Sequence, residues 1–359
     1  MTWACLDQAA RRTFVCGERA VASKPVVVED CAQHAPRPLR ETGSDCSQQK
    51  RSPCMPAPVT VVIPTHGRPN LLGRTLESLA ACRLPTSYEE LIVVENGSSA
   101  GAESLVEQMP EACRARYEYI PQANKSKALS AALEFVEDDS LTVFFDDDVR
   151  VHPNALSAYA KAGAEHGRGA FFGGPLLVDR EREPPDWMVP FLPTSAQGYD
   201  LVETRMGNRY LGANWAVFAG DIKRLGGFDA QFGPGSTSGA RGQEIEMQGR
   251  MVEAGMEGVD VTGAVVWHYV PEKYVTFKWL LRRRGQGGMR KGMRKDEPLR
   301  EFVINFAKKT LVSLGVAAKG LILLDFQKVL FALFNSAQRL GVARGYLWSW
   351  RNERRESAS

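Results

Sequence analysis

The sequence predicts an α/β fold: a mixed, mainly parallel sheet flanked by helices, followed by a C-terminal amphipathic helical extension. Three observations carry this. From Val59 onward, short β-branched runs alternate with amphipathic stretches of helical period. Each run ends in a cluster of polar residues, as strands of an open parallel sheet do where they face a ligand. Beyond Pro271 the composition changes again, to basic and apolar residues at helical spacing.

Residues 1–58 mix Pro, Ser, Gln, Arg and Cys without an apolar period, which predicts a poorly ordered leader. Met55 stands just before the first strand and offers a second place for translation to begin. The first residues lack the apolar core of a secretory signal. Five of the seven cysteines, Cys5, Cys16, Cys31, Cys46 and Cys54, precede residue 55 and form no C-x-x-C pair. Reduced thiols in a cytoplasmic protein are therefore expected, Cys82 and Cys113 included.

The run VTVVIP (59–64) reads as a buried strand, followed by the turn THGRPN and a helix with Leu72, Leu76 and Leu79 on one face. ELIVVENGSS is a second strand closed by an Asn-Gly turn. YEYIP (117–121) is a third, leading into the helix KSKALSAALEFVED, and LTVFF (141–145) is a fourth, running into three aspartates. The region 170–230 breaks the alternation and is expected to cap the sheet and shape a pocket. The glycine-rich stretch 226–244 is expected to contain a mobile loop, with a helix after it over IEMQGRMVEAG. VDVTGAVVWHYV then reads as one strand ending near His268.

Composition limits the possible functions. With 359 residues, 44% hydrophobic and 24% charged, the chain can bury a core, which excludes disorder throughout and low-complexity chains. Its 45 Lys+Arg against 42 Asp+Glu give only +3, which does not indicate a nucleic-acid binder. The basic residues are concentrated late: between Glu272 and Arg300 there are ten Lys/Arg and three acids. Beyond them Lys319, Asp325 and Lys328 interrupt the apolar stretches, so an interfacial helix is favoured over a spanning one. Packing on the catalytic core is the competing reading. Arg282, Arg283 and Arg284 suit a lipid phosphate, a donor diphosphate or a solvated basic face equally.

The polar residues gather behind the strands: Thr65 and Arg68 after the first, Glu95 and Asn96 after the second, Asp146, Asp147 and Asp148 after the fourth. Three adjacent carboxylates repel one another by several kcal/mol near a protein surface, at about 4 Å. A divalent ion such as Mn²⁺ or Mg²⁺ would offset that and could hold a diphosphate.

The ordered series VTVVIPTHGRP, LIVVENGSS, NKSKALSAAL, VFFDDDVRVHP, FFGGP, LGANWAVF, GGFDAQFGPG and GQEIEMQGR resembles the family 2 glycosyltransferases of the GT-A fold, from about Val59 to Arg284. The resemblance implies an inverting, metal-dependent transfer of a sugar from a UDP-, GDP- or dTDP-type donor to an acceptor hydroxyl. A role in cell-surface polysaccharide or glycolipid assembly, peripheral on the cytoplasmic membrane face and with a glycan or lipid-linked acceptor, would suit the tail. It implies that Glu95, where Asp is commoner, reads the nucleotide base, with Pro64, Thr65, Arg68 and Asn96 lining the same pocket. Lys127 would approach the base or diphosphate. Asp146 and Asp147 would serve the donor and Asp148 the metal, three acids in a row leaving the register of the Asp-x-Asp signature open. His268 is either a second metal ligand or a satisfied half-buried side chain. Glu244 takes the place of the base although Gln243 replaces the preceding acid, and Glu246 is its rival. Asn214, Trp215 and Trp187 are expected on the acceptor side, and core packing is expected of Trp267 and Trp279. Two other functions stay open, a sugar nucleotidyltransferase and a non-catalytic sugar- or membrane-binding protein. The single glycine of THGRP disfavours the former.

Overall fold

The apolar runs become strands because each can be covered on both faces, and the computed structural model orders them into two sheets. It describes residues 57–200, 209–294 and 297–356. The expected leader, its alternative start and its five cysteines lie outside the described residues, apart from Ala57 and Pro58.

The chain begins with β1 (Val59–Thr65), buried throughout, and α1 (Pro69–Ala80), which starts on a proline and buries Leu72, Leu76 and Leu79. There follow β2 (Tyr88–Asn96), α2 (Ala102–Glu107), β3 (Ala115–Ile120), α3 (Lys125–Leu133) and β4 (Leu141–Phe145). Asn124 caps α3 by accepting the Lys127 N–H at 3.0 Å. Next come β5 (Val149–Val151), α4 (Ala155–His166), β6 (Ala170–Gly173), β7 (Leu176–Arg180), α5 (Thr194–Gln197), β8 (Asn214–Phe218) and α6 (Ala219–Arg224). The last elements are α7 (Gln243–Glu253), β9 (Glu257–Asp260), β10 (Val266–Val270), α8 (Phe277–Met293), α9 (Leu299–Ile322) and α10 (Phe326–Glu356).

The main sheet has the order β3-β2-β1-β4-β8-β6-β9. Its first four strands are parallel, β8 runs antiparallel between β4 and β6, and β9 is parallel to β6. A second sheet has the order β5-β10-β7. Two expectations need correction. The region 170–230 supplies two strands of the main sheet, β6 and β8. The stretch VDVTGAVVWHYV forms two strands, β9 and β10, in different sheets. The chain turns between them, with the Ala264 N–H donating to Val261 O at 3.0 Å.

The main core fills both faces of this sheet. Phe144 stacks on Trp215 at 4.8 Å and both meet the edge of Phe228. Each such ring contributes roughly 1.5–3 kcal/mol by leaving water. The helical extension packs by a different device. Gly288 and Gly292 of α8 oppose Gly341 and Gly345 of α10, where an added Cβ would lie 2.0 Å from facing carbonyl oxygens. Small residues thus let the two backbones touch. By contrast α9 leaves Leu311, Val312 and Leu314 exposed, and Ile322 and Leu324 at its end are 80% and 92% exposed. Among the described residues, no helix is long and apolar enough to cross a membrane.

Candidate active site

Parallel register brings the ends of three strands together. Thr65 pairs with Glu95 across β1 and β2, and Val62 pairs with Phe144 across β1 and β4. The side chains beyond these pairs therefore meet at one edge. Asp147 is fully buried and accepts a hydrogen bond from the Thr65 hydroxyl at 2.7 Å. Arg68, at the start of α1, grips it through two nitrogens and reaches Asp148 Oδ2 at 2.7 Å. Lys125, the first residue of α3, pairs with Asp146. The triad is thus partly neutralised by two side chains of the protein itself, so charge repulsion alone does not require a metal.

The electrostatics follow from this packing. Burial, then Asp148 and Asp146, outweigh Arg68 and Thr65 and push the Asp147 carboxyl up to about 6. Burial opposes Asp146 ionisation, but Lys125 holds its carboxyl below the usual range. Burial also pulls down on Arg68 and Lys125, yet the aspartates raise both, so both stay charged.

Asp148 and His268 supply a donor pair. The Tyr269 N–H bonds the Asp148 carbonyl at 2.8 Å, and β10 pairs His268 with Val149. His268 Nδ1 lies 2.8 Å from Ser195 O and donates there, which turns Nε2 toward Asp148 Oδ1 at 3.5 Å. That carboxylate oxygen is buried and has no hydrogen-bond partner. An orphaned carboxylate oxygen beside an imidazole nitrogen is a fitting donor set for Mn²⁺ or Mg²⁺. Among the described residues no group of three His, Cys, Asp or Glu could hold an ion. A bound ion would therefore need further ligands from substrate or water.

Both residues line a cavity of about 270 Å³, with Pro64, Thr65, Arg68, Asn96, Lys125, Asp146 and Glu244 also on its wall. Asn96 Nδ2 donates to Thr65 O at 2.7 Å, and His66 Nδ1 lies against Asn96 O. Glu95 is buried beside this cavity. Its carboxylate accepts from the Ala100 N–H at 2.7 Å and the Tyr117 hydroxyl at 2.8 Å.

Four assignments made from sequence are corrected here. Lys127 is exposed, and Lys125 faces the aspartates instead. Glu246 is turned away and accepts from Arg250 through both oxygens at 2.9 Å, whereas Glu244 faces the cavity. Asn214 is 0% exposed inside β8; its amide bonds Tyr159, Pro175 and Ala264, and its neighbour Trp215 packs on Phe144. Trp187 belongs to a separate apolar cluster, 6.5 Å from Phe326. None of these three lines the cavity. The aromatic wall there is Tyr274 stacked on Trp279 at 4.8 Å, so Trp279 is not simply core. Gly242, at φ +91, makes the turn that directs Glu244 inward. Tyr274 and Arg241 were missed, and Trp279 was assigned to the core, because they come from segments without a strand-end signal; of the three arginines Arg282, Arg283 and Arg284, it is Arg283 that lines the cavity. Aromatics flanking a helix cap, as Tyr274 and Trp279 flank Thr276, were the available cue.

Residues 60–221 match the model of the family described as glycosyl transferase family 2. That span covers the aspartates but not Glu244, His268 or α8. Among solved structures, the chain is similar to the mannosyltransferase PcManGT from Pyrobaculum calidifontis in complex with GDP-Man and Mn²⁺. The identity is 17% over 82% of this chain and 88% of that one, with a TM-score of 0.52, a likeness of fold. It is also similar to S. aureus TarS 1–349 in complex with UDP-GlcNAc, at 14% identity over 83% of this chain and 92% of that one, with a TM-score of 0.46. No curated protein matches the chain.

Proposed function

Residues 60–221 form a glycosyl transferase family 2 domain and this chain is a glycosyltransferase; from that premise we propose that it is an inverting, metal-dependent enzyme that moves a sugar from a nucleotide-diphosphate donor to an acceptor hydroxyl. One observation carries the reading: the buried, unpartnered Asp148 Oδ1 faces His268 in the same cavity as Glu244. The bound GDP-Man and Mn²⁺ of the mannosyltransferase, itself a similar fold, agree with such a donor and a divalent ion.

In this reading the nucleotide lies along Pro64, Thr65 and Asn96, beside Glu95. Glu95, expected to read the base, is not on the cavity wall and its carboxylate is held by Ala100 and Tyr117, so it braces the loop behind the nucleotide instead. Asp148 and His268 hold Mn²⁺ or Mg²⁺, which when bound offsets the charge of a diphosphate leaving group. Arg68 fixes Asp148 through Oδ2 and keeps Oδ1 aimed at the cavity. Lys125 adds a fixed positive charge between Asp146 and Glu244, favouring developing negative charge on the donor. Glu244 takes the proton of the acceptor hydroxyl as its oxygen attacks the sugar from the face opposite the diphosphate, which inverts the anomeric centre. Tyr274 and Trp279 offer ring faces on which a sugar can stack.

We assign residues 59–270 to the transferase domain and 271–359 to a basic helical region whose first helix completes the active-site wall through Trp279 and Arg283. The exposed apolar residues of α9, flanked by Lys308, Lys309, Lys319 and Lys328, support peripheral attachment to an anionic membrane face and work in cell-surface polysaccharide or glycolipid synthesis. Incubation with Mn²⁺ and a panel of UDP-, GDP- and dTDP-sugars tests the reading. Slow hydrolysis of one donor is expected. Pyrophosphate release from a nucleoside triphosphate and a sugar phosphate would instead indicate a nucleotidyltransferase, and no turnover of any donor would overturn the reading.

A further inference from the structure

A second cavity, of about 340 Å³, adjoins the first and shares Glu244, Arg241 and Arg283 with it. Its remaining wall comes from the segment around Pro190–Ser195 and from α8, which contributes Arg284, Arg290 and Lys291. It contains none of Thr65, Asn96, Asp146 or Asp148. Five cations therefore surround a space in which Glu244 is the one acid among the lining residues.

These cations have few partners. Arg284 donates to Phe191 O at 3.2 Å. Arg241, Arg283, Arg290 and Lys291 make no ion pair or hydrogen bond with any described residue. Burial, with repulsion from neighbouring arginines, outweighs the attraction of Glu244 and pulls Arg241, Arg283 and Arg290 below the usual guanidinium range, and burial does the same to Arg284. Half-buried cations that outnumber the one acid on their wall are costly unless a further anion joins them. A single carboxylate would neutralise one of them. A phosphate, with three terminal oxygens and up to two negative charges, can accept from several guanidinium forks at once. The first turn of α7, through Gly242 and Ile245, lies on the same wall and adds the positive end of an eleven-residue helix.

We infer that this cavity seats a phosphate group of the acceptor, so that the enzyme glycosylates a phosphate-bearing molecule. The inference rests on the transferase reading and adds the class of its acceptor. The phosphate is bound and is not transferred. With it anchored among Arg284, Arg290 and Lys291, the rest of the acceptor points to Glu244 at the junction with the donor cavity. There the hydroxyl oxygen bonds to the sugar, its proton passes to Glu244, and the bond to the donor diphosphate breaks. The phosphate can belong to a lipid headgroup or to a soluble phosphomonoester; both present the same chemistry to the arginines.

The test needs no donor, so its outcome is separate from that of the transferase reading. Full-length protein is titrated calorimetrically with glycerol 3-phosphate, and its recruitment to vesicles carrying phosphatidic acid is measured against vesicles given equal surface charge by phosphatidylserine, which α9 would bind alike. The expected result is salt-dependent binding of at least one phosphate probe, weakened tenfold or more in the double variant Arg284→Gln/Arg290→Gln, with the affinity for nucleotide diphosphate unchanged. Binding of glycerol 3-phosphate points to a soluble acceptor; binding to phosphatidic acid vesicles alone points to a lipid-linked one. Should the double variant fail to fold, Lys291→Glu, exposed at the rim, is expected to weaken the same probe several-fold. Equal binding by wild type and folded variants would overturn the inference. Loss of phosphate binding when nucleotide diphosphate is added would also overturn it, because the cations would then belong to the donor.

Discussion

Asn214 separates an architectural amide from a substrate contact, and its replacement by alanine gives a large, calculable effect. Its Oδ1 accepts from the Tyr159 hydroxyl at 2.8 Å, while Nδ2 donates to Ala264 O at 2.7 Å and to Pro175 O at 3.0 Å. All of this lies in a region where Asn214 and Tyr159 are both 0% exposed. Asn214→Ala would leave the Tyr159 hydroxyl proton and the Ala264 carbonyl buried without a partner, whereas Pro175 O keeps the Val266 N–H at 3.1 Å. Each orphaned group costs about 1–3 kcal/mol, and partial rearrangement keeps the sum of the two near 2–4 kcal/mol. Tyr159→Phe orphans only the Asn214 oxygen, so about 1–2 kcal/mol is expected. In the double variant the Asn214–Tyr159 bond is counted once, so its cost falls short of the sum of the two. Urea unfolding followed by tryptophan fluorescence measures these values, with a lower midpoint and an unchanged slope expected. If Asn214→Ala unfolded within about 0.5 kcal/mol of wild type while losing sugar transfer, Asn214 would be a substrate ligand and the assignment made here would fail.

Glu244→Gln is expected to keep nucleotide binding while lowering transfer by about 10²–10⁴-fold; equal loss in Glu246→Gln, whose carboxylate bonds Arg250, would show that the base is misassigned. Lys125→Met should strongly weaken donor binding because it leaves the half-buried Asp146 unpaired on the cavity wall, whereas Lys127→Met should leave donor affinity within about twofold of wild type. Serine at Leu321, Ile322 and Leu324 should abolish co-sedimentation with anionic vesicles at low salt without changing donor hydrolysis; persistent binding would place the membrane contact elsewhere. The Cys82 thiol, pushed up to about 12 by burial and Cys113, is about one ten-thousandth thiolate at pH 8. Raising the pH toward 12 should increase its reactivity. Site-resolved mass spectrometry should find Cys82 unalkylated by iodoacetamide at pH 8 until denaturant is added.

Much of this was legible in the sequence. The runs that became β1, β2 and β4 are apolar because helices cover both faces of a parallel sheet, and the polar residues behind them therefore marked one edge of the site. What remained hidden has specific causes. Lys125 and Lys127, like Glu244 and Glu246, are two residues apart in the first turn of a helix. That separation turns side chains by about 200°, so one member faces the cavity and the other does not. Choosing between them requires knowing where the helix starts and what it packs on. Asn214 and Trp215 sit on opposite faces of a strand, and both are buried because β8 lies between β4 and β6. Neither antiparallel β8 nor the division of VDVTGAVVWHYV into two sheets has a local signal, since both depend on pairing between distant segments. The opposing glycines of α8 and α10 were visible in the sequence, but their meaning appears only once the two helices are adjacent.

In the mechanism proposed above, Asp148 and His268 hold a divalent ion together with the nucleotide diphosphate. Calorimetric titration of Mn²⁺ into protein saturated with the nucleotide diphosphate of its hydrolysed donor tests it most directly. One site is expected, weakened about 10–100-fold or more by either Asp148→Asn or His268→Ala, with nucleotide affinity in wild type falling when Mn²⁺ is chelated. Unchanged Mn²⁺ affinity in both folded variants would contradict it.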